Sequence, residues 1–263
     1  MSRFELNDRV AIVTGGGGTG HGIGRSIALS VAVAGARVVV VGRHRDALDR
    51  VVEEIRGLGG DAAAVTADVT DPAQVERMVE GALDAFGSVD ILVNNVGAIS
   101  FGKPEEISPQ DWKASIDLNL NSTFYCCAAA ARHMIAGQGG KIVNVASSSG
   151  IKGEENAAHY AAAKAAAINL TRSLAISWAI HNINVNCVAP GGVEVPDGPV
   201  PGMTEDEHLK RQRLQSGEGT PLQLPGKPED IANAVIYFAS AGSDLMTGET
   251  LVVRGSEWAS AYS

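Results

Sequence analysis

Four short runs of almost unbroken apolar residues, at 10–13, 37–41, 62–66 and 91–93, constrain this chain more than any other feature. A strand that is apolar throughout must be covered on both faces, and that happens chiefly in parallel sheets sandwiched between helices. The stretches between the runs, 23–34, 46–58 and 72–86, carry apolar residues at three- and four-residue spacing, the pattern of helices with one buried stripe. The alternation continues, with helices expected at 112–135, 157–180 and 231–240 and strands at 142–145, 184–188 and 250–253. Repeated strand–helix–strand units with right-handed crossovers predict an α/β fold built on a doubly wound parallel sheet.

Length and charge narrow the class further. The 263 residues, 45% of them apolar, suit one large core, and no compositional break marks a linker, so a single domain over 1–263 is expected. With 21 Lys+Arg against 30 Asp+Glu the net charge is −9, which argues against a nucleic-acid or acidic-membrane partner and for a small-molecule one. No apolar run reaches the roughly 18 residues of a membrane span, and the first residues lack the apolar core of a signal peptide, so a cytoplasmic protein is expected. Cys126, Cys127 and Cys187 form no CxxC pair and read as small core residues, with neither a disulfide framework nor a metal site. The one irregular stretch, about 191–220, carries Pro196, Pro199 and Pro201 before a short charged helix that Thr204 and Glu207 would cap; it reads as a substrate lid.

Directly after the first strand, Thr14-Gly15 leads through Gly16, Gly17, Gly18, Thr19, Gly20 and His21 to Gly22-Ile23-Gly24 and a helix. Glycines here let backbone approach a pyrophosphate whose charge is met by N–H groups at the helix start, the arrangement of a dinucleotide site. An Asp or Glu at the end of the second strand would hold an adenosine ribose and repel a 2′-phosphate. Val41-Gly42-Arg43-His44-Arg45 has no acid there, and the Arg43 guanidinium suits a phosphate, with His21 a second donor; NADP(H) is the expected cofactor.

Tyr160 and Lys164 lie four apart in a helical stretch and so share a face. An ammonium held near a phenol favours the phenolate, and the reading at this stage is a Tyr160 made more acidic by Lys164. Ser147, just past the strand at 142–145, falls at the carboxyl edge of the sheet where its hydroxyl could hold a carbonyl oxygen beside the tyrosine; Ser148 and Ser149 are adjacent alternatives. Asn119 sits within the helix before that strand.

Taken together and in this order, these motifs resemble those of the short-chain dehydrogenase/reductase family, and the resemblance extends over essentially the whole chain, including its 3-oxoacyl-reductase-like branch. It implies a single Rossmann-type domain, with Asp68-Val69 as an adenine contact, Asn95 and Gly97 of Asn94-Asn95-Val96-Gly97 at a strand end beside the cofactor, and Pro190-Gly191 with Val193 in a turn below the nicotinamide. It further implies that Ser147, Tyr160 and Lys164 are the catalytic serine, tyrosine and lysine, that Lys164 holds the nicotinamide ribose, and that Asn119 orients a proton-relay water. A homo-oligomer, a dimer of dimers packed through the helices at 112–135 and 157–180, is expected on the same ground.

The chain departs from the family pattern in three places. The glycine loop is longer between Gly15 and Gly22; Val195 stands where a threonine is usual; and the tail reads Arg254-Gly255-Ser256 in place of Asp-Gly-Gly. Gln138 and Ile176 stand where relatives that act on an acyl carrier protein have arginines, and Glu154 and Glu155 precede Tyr160, so a neutral ketone, aldehyde or secondary alcohol is the expected substrate. The expected activity is NADP(H)-dependent interconversion of a carbonyl and a secondary alcohol, with 3-oxoacyl thioester reduction and a non-catalytic NADP(H)-binding regulator as alternatives.

Overall fold

The computed structural model describes residues 3–17, 22–137, 139–194, 200–218 and 221–255. Among these, seven strands form one sheet: β1 (Val10–Thr14), β2 (Arg37–Gly42), β3 (Ala62–Thr66), β4 (Ile91–Asn94), β5 (Gly140–Val145), β6 (Ile183–Pro190) and β7 (Thr250–Val253). Their order is β3-β2-β1-β4-β5-β6-β7, and every pairing is parallel. The helices are α1 (Ile23–Val33), α2 (Arg45–Gly57), α3 (Pro72–Phe86), α4 (Pro109–Ile116), α5 (Ser122–Ala136), α6 (Ser149–Lys152), α7 (Ala158–Trp178), α8 (Glu205–Gln215) and α9 (Pro228–Ala239).

Strand alternation divides the core in two, as a doubly wound sheet requires. In β2, Val38 and Val40 pack on one face with Ile27 of α1, Leu48 and Ile55 of α2 and Phe238 of α9. Val39 and Val41 pack on the other with Met78 of α3 and with Cys126, Cys127 and Met134 of α5. Burial of each such side chain is worth about 1.5–3 kcal/mol, so both helical layers are held by the sheet rather than by helix propensity. The three cysteines are buried, as their sequence context suggests.

Two helix boundaries show how local chemistry sets the frame. Asp71 caps α3 by accepting from the Ala73 N–H at 2.9 Å, Pro72 occupies the first turn, and the helix stops at Gly87, whose φ of 80° suits a residue without Cβ. The helix expected over 112–135 is instead α4 and α5 joined by a π-helical turn at Asp117–Asn121. The extra residue in that turn displaces Asn119 into the interior, where it is buried. α6, a single turn, was not anticipated from the polar run of serines.

The chain order places the functional edge. From β1 the chain runs outward to β2 and β3, then returns to the other side of β1 as β4. Connections therefore leave the carboxyl ends of β1 and β4 in opposite directions, opening a crevice between them.

Candidate active site

A cavity of about 640 Å³ occupies that crevice and continues over β5 and β6. Of the residues singled out from sequence, Gly15, Gly22, Ile23, Gly24, Asn95, Gly97, Ser147, Tyr160, Lys164, Pro190, Gly191 and Val193 all line it.

Its first wall is backbone. The Thr14 hydroxyl donates to the Val93 carbonyl at 3.3 Å and accepts from the Asn95 N–H at 3.0 Å, tying the ends of β1 and β4 together. Gly15 has φ 71°, and a methyl on it would lie 2.9 Å from Asn95 Nδ2; a methyl on Gly24 would lie 2.5 Å from the same atom. α1 opens on Gly22 with no side-chain cap and no acidic residue in its first turn. Uncapped N–H groups at a helix start attract an anion, and close glycine backbone admits it, so this wall fits the pyrophosphate of a dinucleotide.

The opposite wall carries the reactive side chains. Lys164 is buried, its ammonium donates to the Val145 carbonyl at 3.1 Å, and its nitrogen lies 5.8 Å from the centre of the Tyr160 ring. Burial pulls the Lys164 ammonium down to about 8. Burial also pushes the Tyr160 phenol up from its ordinary value, opposed by a hydrogen bond with the Ser147 hydroxyl and reinforced by the charge of Glu154. The sequence reading of a phenol made acidic by Lys164 is corrected here: i,i+4 spacing brings the two groups to one face, but loss of hydration raises the phenol and the group that opposes it is the Ser147 hydroxyl. Among the three serines, Ser147 is the one that meets Tyr160. Ser148 donates its N–H to the Pro190 carbonyl at 2.8 Å, and the Ser149 hydroxyl donates to Glu154 at 2.6 Å.

Asn119 stands behind this wall. Its Oδ1 accepts from the Ala98 N–H at 3.1 Å, and its Nδ2 donates to the carbonyls of Ala98 at 3.0 Å and Ser115 at 3.1 Å. The amide thus fixes the chain leaving β4. A methyl on Gly97 would lie 2.8 Å from both Asn119 Oδ1 and Lys164 Nζ, so a larger residue there would have to move one of these two groups.

Arg43, Asp68 and Val69 are not among the residues lining the cavity. Arg43 is exposed just past β2, and Val69 is buried. The Asp68 carboxylate accepts from the Thr70 hydroxyl at 2.7 Å, which with the Thr70 N–H lowers its pKa, and the charge of Arg43 acts in the same direction. His21, Gln138, Val195 and Ser256 lie outside the described residues.

The far end of the cavity draws on the stretch expected as a substrate lid, while Ile99 and Phe101 were not singled out from sequence. Ile99, Phe101, Val200, Pro201 and Met203 give it apolar walls, and α8 adds Glu207, Lys210, Arg211 and Gln215. Three ties hold this segment: the Phe101 N–H donates to the Pro201 carbonyl at 2.8 Å, Asn156 Nδ2 to Glu207 at 2.7 Å and Gln215 Nε2 to the Val193 carbonyl at 3.0 Å. Thr204 and Glu207 form the expected cap, with the Thr204 N–H donating to Glu207 at 2.7 Å. Gly202 has a positive φ and a methyl on it would collide with the Phe101 carbonyl, so the Pro201-Gly202 pair is the trace of this contact in the sequence. Among the described residues no His, Cys, Asp and Glu group is arranged to hold a metal ion, and no helix is long and apolar enough to cross a membrane.

Known proteins resemble this chain along nearly its whole length. The family model for short chain dehydrogenases matches residues 9–198. The chain is 39% identical to the 3-oxoacyl-acyl-carrier-protein reductase of Chlamydia pneumoniae over 254 residues, covering 96% of this chain and 98% of that protein. It is 36% identical to the sorbitol dehydrogenase of Cereibacter sphaeroides over 262 residues, covering 98% and 100% respectively. Among solved structures, a gluconate 5-dehydrogenase from Burkholderia cenocepacia J2315 in complex with NADP and tartrate superposes with a TM-score of 0.85 at 32% identity, covering 96% of each chain.

Proposed function

The chain belongs to the short-chain dehydrogenase family, and from that premise we propose that it is an NADP(H)-dependent oxidoreductase in which Tyr160 is the general acid and base for interconverting a carbonyl and a secondary alcohol. The observation that carries the reading is the grouping of the Tyr160 phenol, its Ser147 hydrogen-bond partner and the buried Lys164 ammonium on one cavity wall, opposite an uncapped helix start.

The residues present fit a nicotinamide dinucleotide. Gly15, Gly22, Ile23 and Gly24 form a cradle with no room for a Cβ at Gly15 or Gly24, suited to the pyrophosphate, while Asn95, Gly97, Pro190, Gly191 and Val193, which line the same cavity, would flank the nicotinamide. When bound, the nicotinamide supplies or accepts the hydride. In reduction Tyr160 gives its phenolic proton to the carbonyl oxygen as the Ser147 hydroxyl donates a hydrogen bond to that oxygen; in oxidation the phenolate takes the alcohol proton. Lys164, held by the Val145 carbonyl beside the Tyr160 ring, would reach a ribose hydroxyl of the bound dinucleotide. Asn119 fixes the turn at Ala98 through both its amide atoms and would orient a proton-relay water. Of the stretch expected as a substrate lid, 195–199, 219 and 220, with Pro196 and Pro199, lie outside the described residues; the lid role is carried by α8 and residues 200–204 at the far end of the cavity.

NADP(H) is favoured over NAD(H) because β2 ends without an acid and presents an exposed Arg43; Asp68 and Val69 would then meet the adenine. NADP is bound in the Burkholderia cenocepacia structure. A second reading, 3-oxoacyl thioester reduction, is favoured by the Chlamydia pneumoniae relative; Ile176, on the outer face of α7 and 82% exposed, offers no charge to an acidic carrier. A homo-oligomer is supported by exposed Phe124 on α5 and Ile176 on α7, with Trp112 on α4 and Ile180 just past α7, apolar side chains that a subunit contact would cover.

Tyr160→Phe tests the central role. The variant is expected to lose turnover of ketones and alcohols by about 1000-fold or more and to bind NADPH as the parent does. Retained turnover overturns the assignment.

A further inference from the structure

Resting on the reading of this cavity as a carbonyl and alcohol site, we infer that its substrate carries a carboxylate and that Arg211 of α8 receives it. Arg211 is half-buried and lines the cavity, and among the described residues it makes no hydrogen bond or ion pair. The other cations of the cavity are engaged: Lys164 with the Val145 carbonyl, Lys152 with Glu154 at 3.9 Å, and Lys210 with Glu155 at 3.5 Å.

The nearest carboxylate in sequence, Glu207, stands one helical turn before Arg211 and would be its natural partner. Both its oxygens are taken. Oε1 accepts from Asn156 Nδ2 at 2.7 Å, and Oε2 accepts from the N–H and hydroxyl of Thr204 at 2.7 and 2.8 Å. Attraction to the helix dipole does not account for the residue either, because that effect is confined to the last turn and Arg211 precedes it in Glu205–Gln215. A guanidinium withdrawn part-way from water without a partner is costly, and the cost is recovered when a ligand brings an anion with fork geometry.

The charges that argued for a neutral substrate are also accounted for. Glu154 accepts from the Ser149 hydroxyl at 2.6 Å as well as facing Lys152, and Glu155 faces Lys210. The inference is therefore a hydroxy or oxo acid, its reacting carbon at Tyr160 and its carboxylate at α8.

The test compares two matched pairs in NADP-dependent oxidation: gluconate against sorbitol, and 3-hydroxybutanoate against its methyl ester. The wild type is expected to favour the acid in kcat/KM in at least one pair, and Arg211→Gln to lower that acid-to-neutral ratio roughly 10- to 100-fold, with Arg211→Lys intermediate. Equal use of acid and neutral partner, or a ratio unchanged in Arg211→Gln, overturns the inference. So does an NADPH affinity that falls by the same factor, since the guanidinium would then serve the cofactor. Turnover confined to other, uncharged ketones or alcohols overturns it while leaving the proposed function standing; failure to turn over any alcohol or ketone brings down the function itself.

Discussion

Replacing Lys164 by methionine is expected to make the protein more stable while removing its activity. The buried ammonium stands at about 8 against an ordinary lysine value of 10.5. At about 1.36 kcal/mol per pH unit, holding it protonated in the folded state near neutrality costs about 3 kcal/mol. Methionine is close in volume, flexible enough to fill the channel, and carries no charge. Against the gain stands the lost hydrogen bond to the Val145 carbonyl, worth about 1 kcal/mol. The net expectation is about 2 kcal/mol in favour of Lys164→Met at about pH 6.5.

The pH dependence separates this cause from better packing. Below about 8 both folded and unfolded chains hold the proton and the penalty is constant; between about 8 and 10.5 the unfolded chain binds it and the folded one does not, so wild-type stability rises with pH. By about pH 9.5 the penalty has fallen to roughly 1.4 kcal/mol, and the two proteins should unfold at nearly the same denaturant concentration. Urea unfolding of both, at equal protein concentration and at the two pH values, reads the difference; Cys187, the group Lys164 acts on, stands at about 11 and stays protonated at both pH values, and the remaining titrating groups are common to both chains. A methionine variant less stable than wild type at the lower pH, or an advantage that does not shrink on raising the pH, would refute the reasoning.

Two further substitutions probe the cofactor side. Arg43→Ala is expected to weaken NADPH binding about 10- to 100-fold and NADH binding by less than about threefold, read by quenching of protein fluorescence; equal losses would remove Arg43 from the 2′-phosphate. Gly97→Ala places a methyl 2.8 Å from both Asn119 Oδ1 and Lys164 Nζ. It is expected to cost about 1–3 kcal/mol of stability and at least about tenfold in kcat, and an active variant of wild-type stability would mean that the turn after β4 yields without consequence.

Most of the frame was legible because it rests on patterns that survive without knowledge of neighbours. β2 covers Arg37–Gly42 where 37–41 was expected, and α3 covers Pro72–Phe86 as expected, since two-sided burial and strong caps are written locally. The π-helical turn at Asp117–Asn121 was not legible, because one added residue in a helix leaves the apolar spacing almost unchanged over a few turns. The site divides in the same way. Spacing predicts that Tyr160 and Lys164 share a face, but the direction of the phenol's shift depends on how much water surrounds it, which only packing decides. The choice of Ser147 over Ser148 and Ser149 follows from where the chain turns after β5. Arg211 reaches the cavity from a segment about fifty residues beyond Tyr160, too far for any local pattern to connect them.

That division explains how one scaffold serves relatives named for acyl-carrier thioesters, sorbitol and gluconate at 32–39% identity. The reaction end is made of positions with no spare volume: Gly15 and Gly24 meet Asn95, and Gly97 meets both Asn119 and Lys164, so nearly any side chain added there displaces a group the reaction needs. The substrate end is made of side chains on α8 and the neighbouring loops, attached to the body through contacts such as the Asn156–Glu207, Gln215–Val193 and Phe101–Pro201 hydrogen bonds. Exchanging a residue such as Arg211 alters which group the far end receives without touching the packing around Tyr160. Chemistry is therefore carried by the sheet edge and held constant by steric necessity, while selectivity is carried by a segment whose few ties leave its surface open to change.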